Sequence, residues 1–226
     1  MLPRRGPCNQ RDQMDKMELM LQSQIIDRGV RAPAVIQAMR SVPRDLFVPA
    51  EQREDAYTDQ PLPIGHGQTI SQPFIVALMT EALEVAPNHR ILEVGTGCGY
   101  QTAILAMLAQ HVYSIERLPP LVSMARGHLA ALGIGNVDFR EGDGTLGWPE
   151  QAPFDRILLS AAGPVVPRNL LLSQLADGGI AVLPYGGPYD QILLKVTREG
   201  DALTERFLCG CRFVKLIGKE GYVAEP

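Results

Sequence analysis

Residues 90–100 run Arg-Ile-Leu-Glu-Val-Gly-Thr-Gly-Cys-Gly-Tyr, a short apolar stretch that ends in glycines at alternate positions. Such a run, followed by a helical pattern over Tyr100–Ala109, is a buried strand that turns at once into a helix. The glycines permit a tight turn and let a ligand approach the backbone, and the helix start offers free amides. The same alternation continues downstream. Strands are expected at Val112–Glu116, Val137–Arg140, Asp155–Ser160 and Ile180–Pro184, helices at Pro119–Leu132 and Val166–Leu175, and a turn at Gly178-Gly179. Repeated β-α pairs give an α/β fold, a mostly parallel sheet with helices on both faces. Two later runs, Gln191–Thr197 and Arg206–Val214, are expected to form an antiparallel C-terminal edge.

The N-terminal part has a different texture. Residues 1–12 are polar and expected to be loose. A helix is expected from about Asp12, with Met14, Met17, Leu21 and Ile25 in its stripe and Gly29 as its stop. A second starts at Pro33 and ends at Pro43. The segment 43–72 holds four prolines and two glycines (Pro43, Pro49, Pro61, Pro63, Gly65, Gly67), so regular structure is not expected there. A loop-rich stretch of that length inside a compact domain points to binding. A helix then begins at Ser71-Gln72-Pro73. The expected organisation is one domain over 1–226, with N-terminal helices and a substrate loop (1–85), a cofactor core (86–200) and a substrate-side tail (201–226).

Composition narrows the partners. The 226 residues carry 21 Lys and Arg against 25 Asp and Glu, a net charge of −4. No run of five basic residues exists to grip a phosphate backbone, and no window approaches the roughly 18 apolar residues of a membrane span. Nucleic acid and membrane are therefore not expected as partners. Cys8, Cys98, Cys209 and Cys211 form no Cys-x-x-Cys pair, and the four histidines show no zinc spacing, so no metal is expected. Reduced thiols suit a cytoplasmic protein, and a monomer is the default expectation.

The glycine loop discriminates between cofactors. A dinucleotide fingerprint needs glycine at 95, 97 and 100, but position 100 is Tyr. The spacing Glu93-x-Gly95-x-Gly97-x-Gly99 matches the loop of S-adenosylmethionine enzymes, with Thr96 and Cys98 between the glycines. Glu116, at the end of the second strand, is placed to accept hydrogen bonds from both ribose hydroxyls. Asp143, followed by Gly144, is placed to accept from an adenine amino group, and Glu93 to reach the cationic methionine end.

The run Pro61-Leu62-Pro63-Ile64-Gly65-His66-Gly67-Gln68-Thr69-Ile70-Ser71-Gln72-Pro73 is far more specific. Together with Val42-Pro43-Arg44, Phe47-Val48-Pro49, Ala56-Tyr57-Thr58-Asp59, Gly142-Asp143-Gly144, Pro153-Phe154-Asp155 and Arg212-Phe213-Val214, it resembles the protein-L-isoaspartate O-methyltransferases from about residue 13 to 218. The resemblance implies a Rossmann-like class I S-adenosylmethionine-dependent methyltransferase. It implies methyl transfer to the free α-carboxylate of L-isoaspartyl residues in damaged proteins, leaving S-adenosylhomocysteine. The ester then cyclises to a succinimide, whose hydrolysis restores some aspartyl linkage. It also implies that Ser71 is the active-site residue, that Thr69, Ile70 and Gln72 lie between cofactor and substrate, and that Gln191 approaches the cofactor. Asp59 is open between loop hydrogen bonding and a role near substrate.

The chemistry is consistent with that assignment. A carboxylate is already ionised at neutral pH, so its methylation needs no general base. His66 therefore has no proton to take and is expected to shape its loop. Ser71 is expected at, or one residue before, a helix N-cap, as a hydrogen-bond donor that orients substrate. Two positions depart from the family pattern. Cys98 stands where Ser is usual, and is expected to be an exposed, oxidation-sensitive thiol; Lys215 replaces the usual Pro. Two rival readings keep the cofactor, one with a different carboxylate acceptor and one as a non-catalytic binding module.

Overall fold

The computed structural model describes residues 7–187 and 189–223, with side chains from residue 12 onward. The chain opens with α1 (Pro7–Met20), which runs into a π-helical turn over Leu21–Ile26, and α2 (Pro33–Ser41). Helix α1 thus starts well before Asp12, on a proline at its first position, where no N–H is missed. Its first turn is polar and offers no stripe to read. Residues 1–6 of the segment expected to be loose lie outside the described residues.

Between 43 and 72 the expected irregularity is only partial. Two 3-10 turns, Arg44–Leu46 and Ala50–Asp55, precede a hairpin of β1 (Leu62–Gly65) and β2 (Gln68–Ile70). Leu62, Ile64 and Ile70 point inward, while Pro63 faces out of a two-stranded ribbon, a tolerated place for proline. His66 takes the turn with φ 53° and lies outside the cavity described below. Helix α3 (Pro73–Ala82) follows.

The main sheet comprises β3 (Arg90–Val94), β4 (His111–Glu116), β5 (Val137–Glu141), β6 (Phe154–Leu159), β7 (Leu175–Gly186), β8 (Gln191–Glu199) and β9 (Ala202–Cys211), and α4 (Tyr100–Leu108), α5 (Pro119–Ala131) and α6 (Arg168–Gln174) connect its parallel strands. Its order is β5-β4-β3-β6-β7-β8-β9. The first five strands run parallel, and β8 and β9 are antiparallel additions. Strand order reverses between β3 and β6, which makes the space beyond their C-terminal ends the switch point where such sheets bind ligands.

Alternation along β3 assigns its side chains. Leu92 and Val94 pack with α6 residues Leu170 and Leu171 on one face. Ile91 packs with Met79 and Leu83 from the α3 region and Leu105 of α4 on the other. The N-terminal helices form a further layer, in which Met39 and Phe47 cover Tyr100, Ala103 and Ile104 of α4. Helix α4 is therefore buried from Tyr100 to Ala106.

The C-terminal edge differs from expectation. Strand β9 begins at Ala202, not Arg206, because the Gly200 turn returns the chain to β8 at once. Its exposed Thr204-Glu205-Arg206 carries no apolar alternation to mark it. Beyond Cys211 the chain leaves the sheet, and Lys215 bridges Ala162. Strand β7 begins at Leu175 and absorbs the expected glycine turn as an irregularity in its pairing with β6. No helix among the described residues is long and apolar enough to cross a membrane.

Candidate active site

Two of the glycine positions are dictated by space. Gly99 caps α4 in the left-handed region, and a Cβ there would lie 2.9 Å from Leu129 Cδ1 and 3.2 Å from the Ala125 Cα. A Cβ at Gly144 would fall 2.4 Å from Val94 Cγ1. The loop is pinned by Gly95 N–H donating to Ile115 O and Ser160 N–H donating to Val94 O, both at 2.8 Å. Over it opens a cavity at the switch point. Gly95, Thr96, Gly97, Cys98, Glu116 and Gly144 line it, as do Thr69, Ile70 and Ser71 from the hairpin side. The structure thus brings together nine of the residues singled out from sequence.

Glu116 reaches the cavity from the end of β4. Its Oε2 accepts from Gly97 N–H at 3.0 Å and its Oε1 from Leu118 N–H at 3.1 Å. Each oxygen keeps a second lone pair, so the acceptor pair fits the two hydroxyl donors of a vicinal diol. Glu93 is placed differently from expectation. It shares the α3/α4 face with Ile91, is fully buried, and does not line the cavity. Thr102 Oγ1 and Ser114 Oγ both donate to its Oε2, at 2.5 and 2.6 Å, while its Oε1 has no partner among the described residues. Ser114 meets Thr96 Oγ1 at 2.6 Å, so Glu93 supports the loop from beneath.

Burial pushes the Glu93 carboxyl up to about 7, despite the two hydroxyl donors that favour its ionised form. An acid raised in this way holds its proton more tightly when folded. Its contribution to stability is therefore full below the ordinary value of 4.5, falls as pH rises from there to about 7, and is lost above. The change is on the order of 3 kcal/mol. Glu93→Gln should abolish it, so in urea unfolding without ligand E93Q should gain that amount of stability relative to wild type between pH 4.5 and 8. Parallel pH curves would contradict this account of Glu93.

Other expectations shift. Asp143 does not face the cavity: its Oδ1 accepts from Thr145 N–H and Oγ1, and its Oδ2 from Lys219 N–H at 2.7 Å. These donors outweigh desolvation and hold its pKa below the usual range. Gln191 exchanges two hydrogen bonds with the Phe213 backbone, at 3.2 and 2.6 Å, and so braces the segment after β9 instead of touching the cavity. Cys98 lines the cavity, yet it is 3% exposed and burial pushes its thiol up to about 11. The expectation of an exposed, reactive thiol is corrected: a deeply buried thiol with so little thiolate is unreactive.

A second cavity adjoins the first. Thr69, Ser71, Ser160 and Val214 line both. Ser71 stands one residue before the N-cap Gln72 of α3. Its hydroxyl makes no hydrogen bond among the described residues, so it is not spent as a cap. Gln72 lines the second cavity and donates to Asp59 O at 3.3 Å. Asp59 itself pairs with Arg28 at 2.8 Å and lines neither cavity. Ser160 and Arg212 also line the second cavity. Ser160 was legible only as a position after a strand adjoining the switch point, and Arg212 only as part of a family motif. Among the described residues no cluster of three metal-ligating side chains occurs.

A doubly wound sheet with this glycine loop at its switch point, and a carboxylate at the end of the neighbouring strand, defines a Rossmann-like S-adenosylmethionine-dependent methyltransferase. Within that class, the sequence model of the protein-L-isoaspartate(D-aspartate) O-methyltransferase family matches residues 15–221, and the chain belongs to this family. It is similar to protein-L-isoaspartate O-methyltransferase 2 of Pelobacter propionicus, 52% identical over 214 residues that cover 94% of this chain and 95% of that one. It is also similar to the protein-L-isoaspartate O-methyltransferase of Synechococcus sp., 59% identical over 207 residues, 88% of this chain and 84% of that one. A solved protein-L-isoaspartate O-methyltransferase superposes with a TM-score of 0.81 at 27% identity, covering 92% of this chain and 67% of that chain. A structure from Plasmodium falciparum, described as a beta-aspartate methyltransferase in complex with S-adenosyl-L-homocysteine, gives 0.77 at 25% identity, covering 89% and 98%.

Proposed function

We propose that this protein transfers the methyl group of S-adenosylmethionine to the free α-carboxylate of L-isoaspartyl residues in damaged proteins and peptides. The observation that carries this reading is the uncommitted Ser71 hydroxyl where the two cavities meet. Glu116, the loop 95–99 and Gly144 would hold the cofactor, and Thr69, Ile70, Ser71 and Gln72 the substrate. S-adenosylmethionine supplies a sulfonium-bound methyl: a carboxylate oxygen forms the new O–C bond, the C–S bond breaks with its pair passing to sulfur, and no proton moves.

The residues of this chain do the remaining work, which is alignment. Ser71 Oγ–H donates to one carboxylate oxygen and leaves the other free to attack. Held orientation of this kind contributes several kcal/mol in favourable cases, and up to about 7–11 in intramolecular reactions. No histidine lines either cavity, in keeping with a reaction that needs no base. We place the reaction in the cytoplasm, with the chain acting as a monomer on isoaspartyl proteins. The unlinked thiols of Cys98, Cys209 and Cys211 support that compartment.

The test pairs two peptides that differ only in L-isoaspartyl against L-aspartyl linkage. With labelled S-adenosylmethionine, base-labile methyl ester is expected on the isoaspartyl peptide alone. Ester on neither peptide, with cofactor binding intact, would move the function to another carboxylate or to a binding role.

A further inference from the structure

The second cavity carries a charge for which the proposed reaction has no use. Arg212 is the one charged side chain among the described residues that line it. It is exposed, and it makes no hydrogen bond or ion pair with any described residue. This contrasts with Arg28 and Arg40, which are paired to Asp59 and Glu18. Its mount is firm, because the Gln191 side chain hydrogen-bonds both the N–H and the C=O of the neighbouring Phe213. A free guanidinium on a braced backbone, in a chain of net charge −4, is placed to take a carboxylate.

That carboxylate is not the reacting one. Methyl transfer must occur where the two cavities meet, at the residues they share, and Arg212 lines only the outer cavity. We infer that Arg212 is a specificity residue that selects isoaspartyl substrates carrying a second carboxylate, from an acidic side chain or a chain terminus, next to the damaged residue. This rests on the isoaspartyl reading and deepens it by naming the substrate class. Arg212 touches no cofactor-cavity residue's role and takes no part in the bond change; it acts on which peptide docks.

The experiment uses the full chain and a set of isoaspartyl peptides with Glu, Gln or Lys at each of the two positions on either side, plus one set ending in a free or an amidated C-terminus. For wild type, kcat/KM should rank Glu above Gln above Lys at one or more positions, with about fivefold between Glu and Gln, the scale of an ion pair at a partly exposed site. The ratio should shrink with added salt. It should collapse toward one in Arg212→Ala, invert in Arg212→Glu and persist in Arg212→Lys, with the free-terminus arm separating the two sources of carboxylate. Because each ratio is taken within one variant, a general loss of activity does not mimic the effect. Equal ratios in wild type, R212A and R212E would overturn the inference and leave the isoaspartyl reading standing. A uniform loss on every peptide in R212A would overturn it too, by assigning Arg212 to the reacting carboxylate. Absence of ester on all isoaspartyl peptides, with cofactor bound, would instead mark failure of the underlying reading.

Discussion

Glu116→Ala is expected to weaken S-adenosylmethionine binding by at least about 100-fold, measured by titration calorimetry. The carboxylate does two jobs at once. It accepts the Gly97 and Leu118 N–H groups, which fixes the glycine loop against the start of α5, and it presents the remaining lone pairs to the cavity. Hydrogen bonds to a charged group contribute about 1.5–3 kcal/mol each, so the loss of a ribose contact and of loop order together exceed 3 kcal/mol. Glu116→Gln keeps only one acceptor oxygen and should fall between the two. Circular dichroism and thermal unfolding of both variants separate loss of binding from loss of fold. An affinity within threefold of wild type for E116A would remove Glu116 from the cofactor site.

The second large effect is expected at Ser71. Ser71→Ala should lower kcat/KM on an isoaspartyl peptide about 30-fold, corresponding to about 2 kcal/mol for a hydrogen bond to a carboxylate. Cofactor affinity should hold within twofold. Stability should change by less than about 0.5 kcal/mol, because the hydroxyl has no partner among the described residues to lose. A merely capping serine would show the opposite pattern, a stability loss of about 1 kcal/mol with activity kept. Unchanged kcat/KM would shift the orienting role to Thr69 or Ser160, the other hydroxyls shared by the two cavities.

The β-α alternation was legible because parallel strands buried on both faces are continuous apolar runs, as in Leu158-Leu159 and Ala181-Val182-Leu183. Strand β9 was misjudged for the converse reason: an edge strand with one solvated side need not be apolar. Motif spacing singles out the glycine loop and Glu116, and both line the cavity wall. Glu93, Asp143 and Gln191 line neither cavity, because a motif gives a residue's position along the chain but not the partner its side chain finds. Glu93 alternates to the far face of β3, Asp143 meets the Lys219 amide, and Gln191 meets Phe213. Ser160 and Arg212 were invisible as site residues, since their role depends on two segments more than fifty residues apart meeting at one opening. Cys98 looked exposed only because the layer of N-terminal helices over α4 could not be seen from the loop itself.

The segment 215–222 has one more consequence. Leu216 and Ile217 wall the cofactor cavity, yet this stretch belongs to no strand of the sheet. It is moored through Lys219 and Glu220 amides to Asp143 and Thr145, and through the Tyr222 hydroxyl to Gly186 O. Docking of this strap and occupation of the cavity are therefore thermodynamically linked. If the strap is docked only a fraction of the time, the observed dissociation constant of any cavity ligand rises by the inverse of that fraction. Asp143 holds this strap from the outside of the wall, through the Lys219 amide.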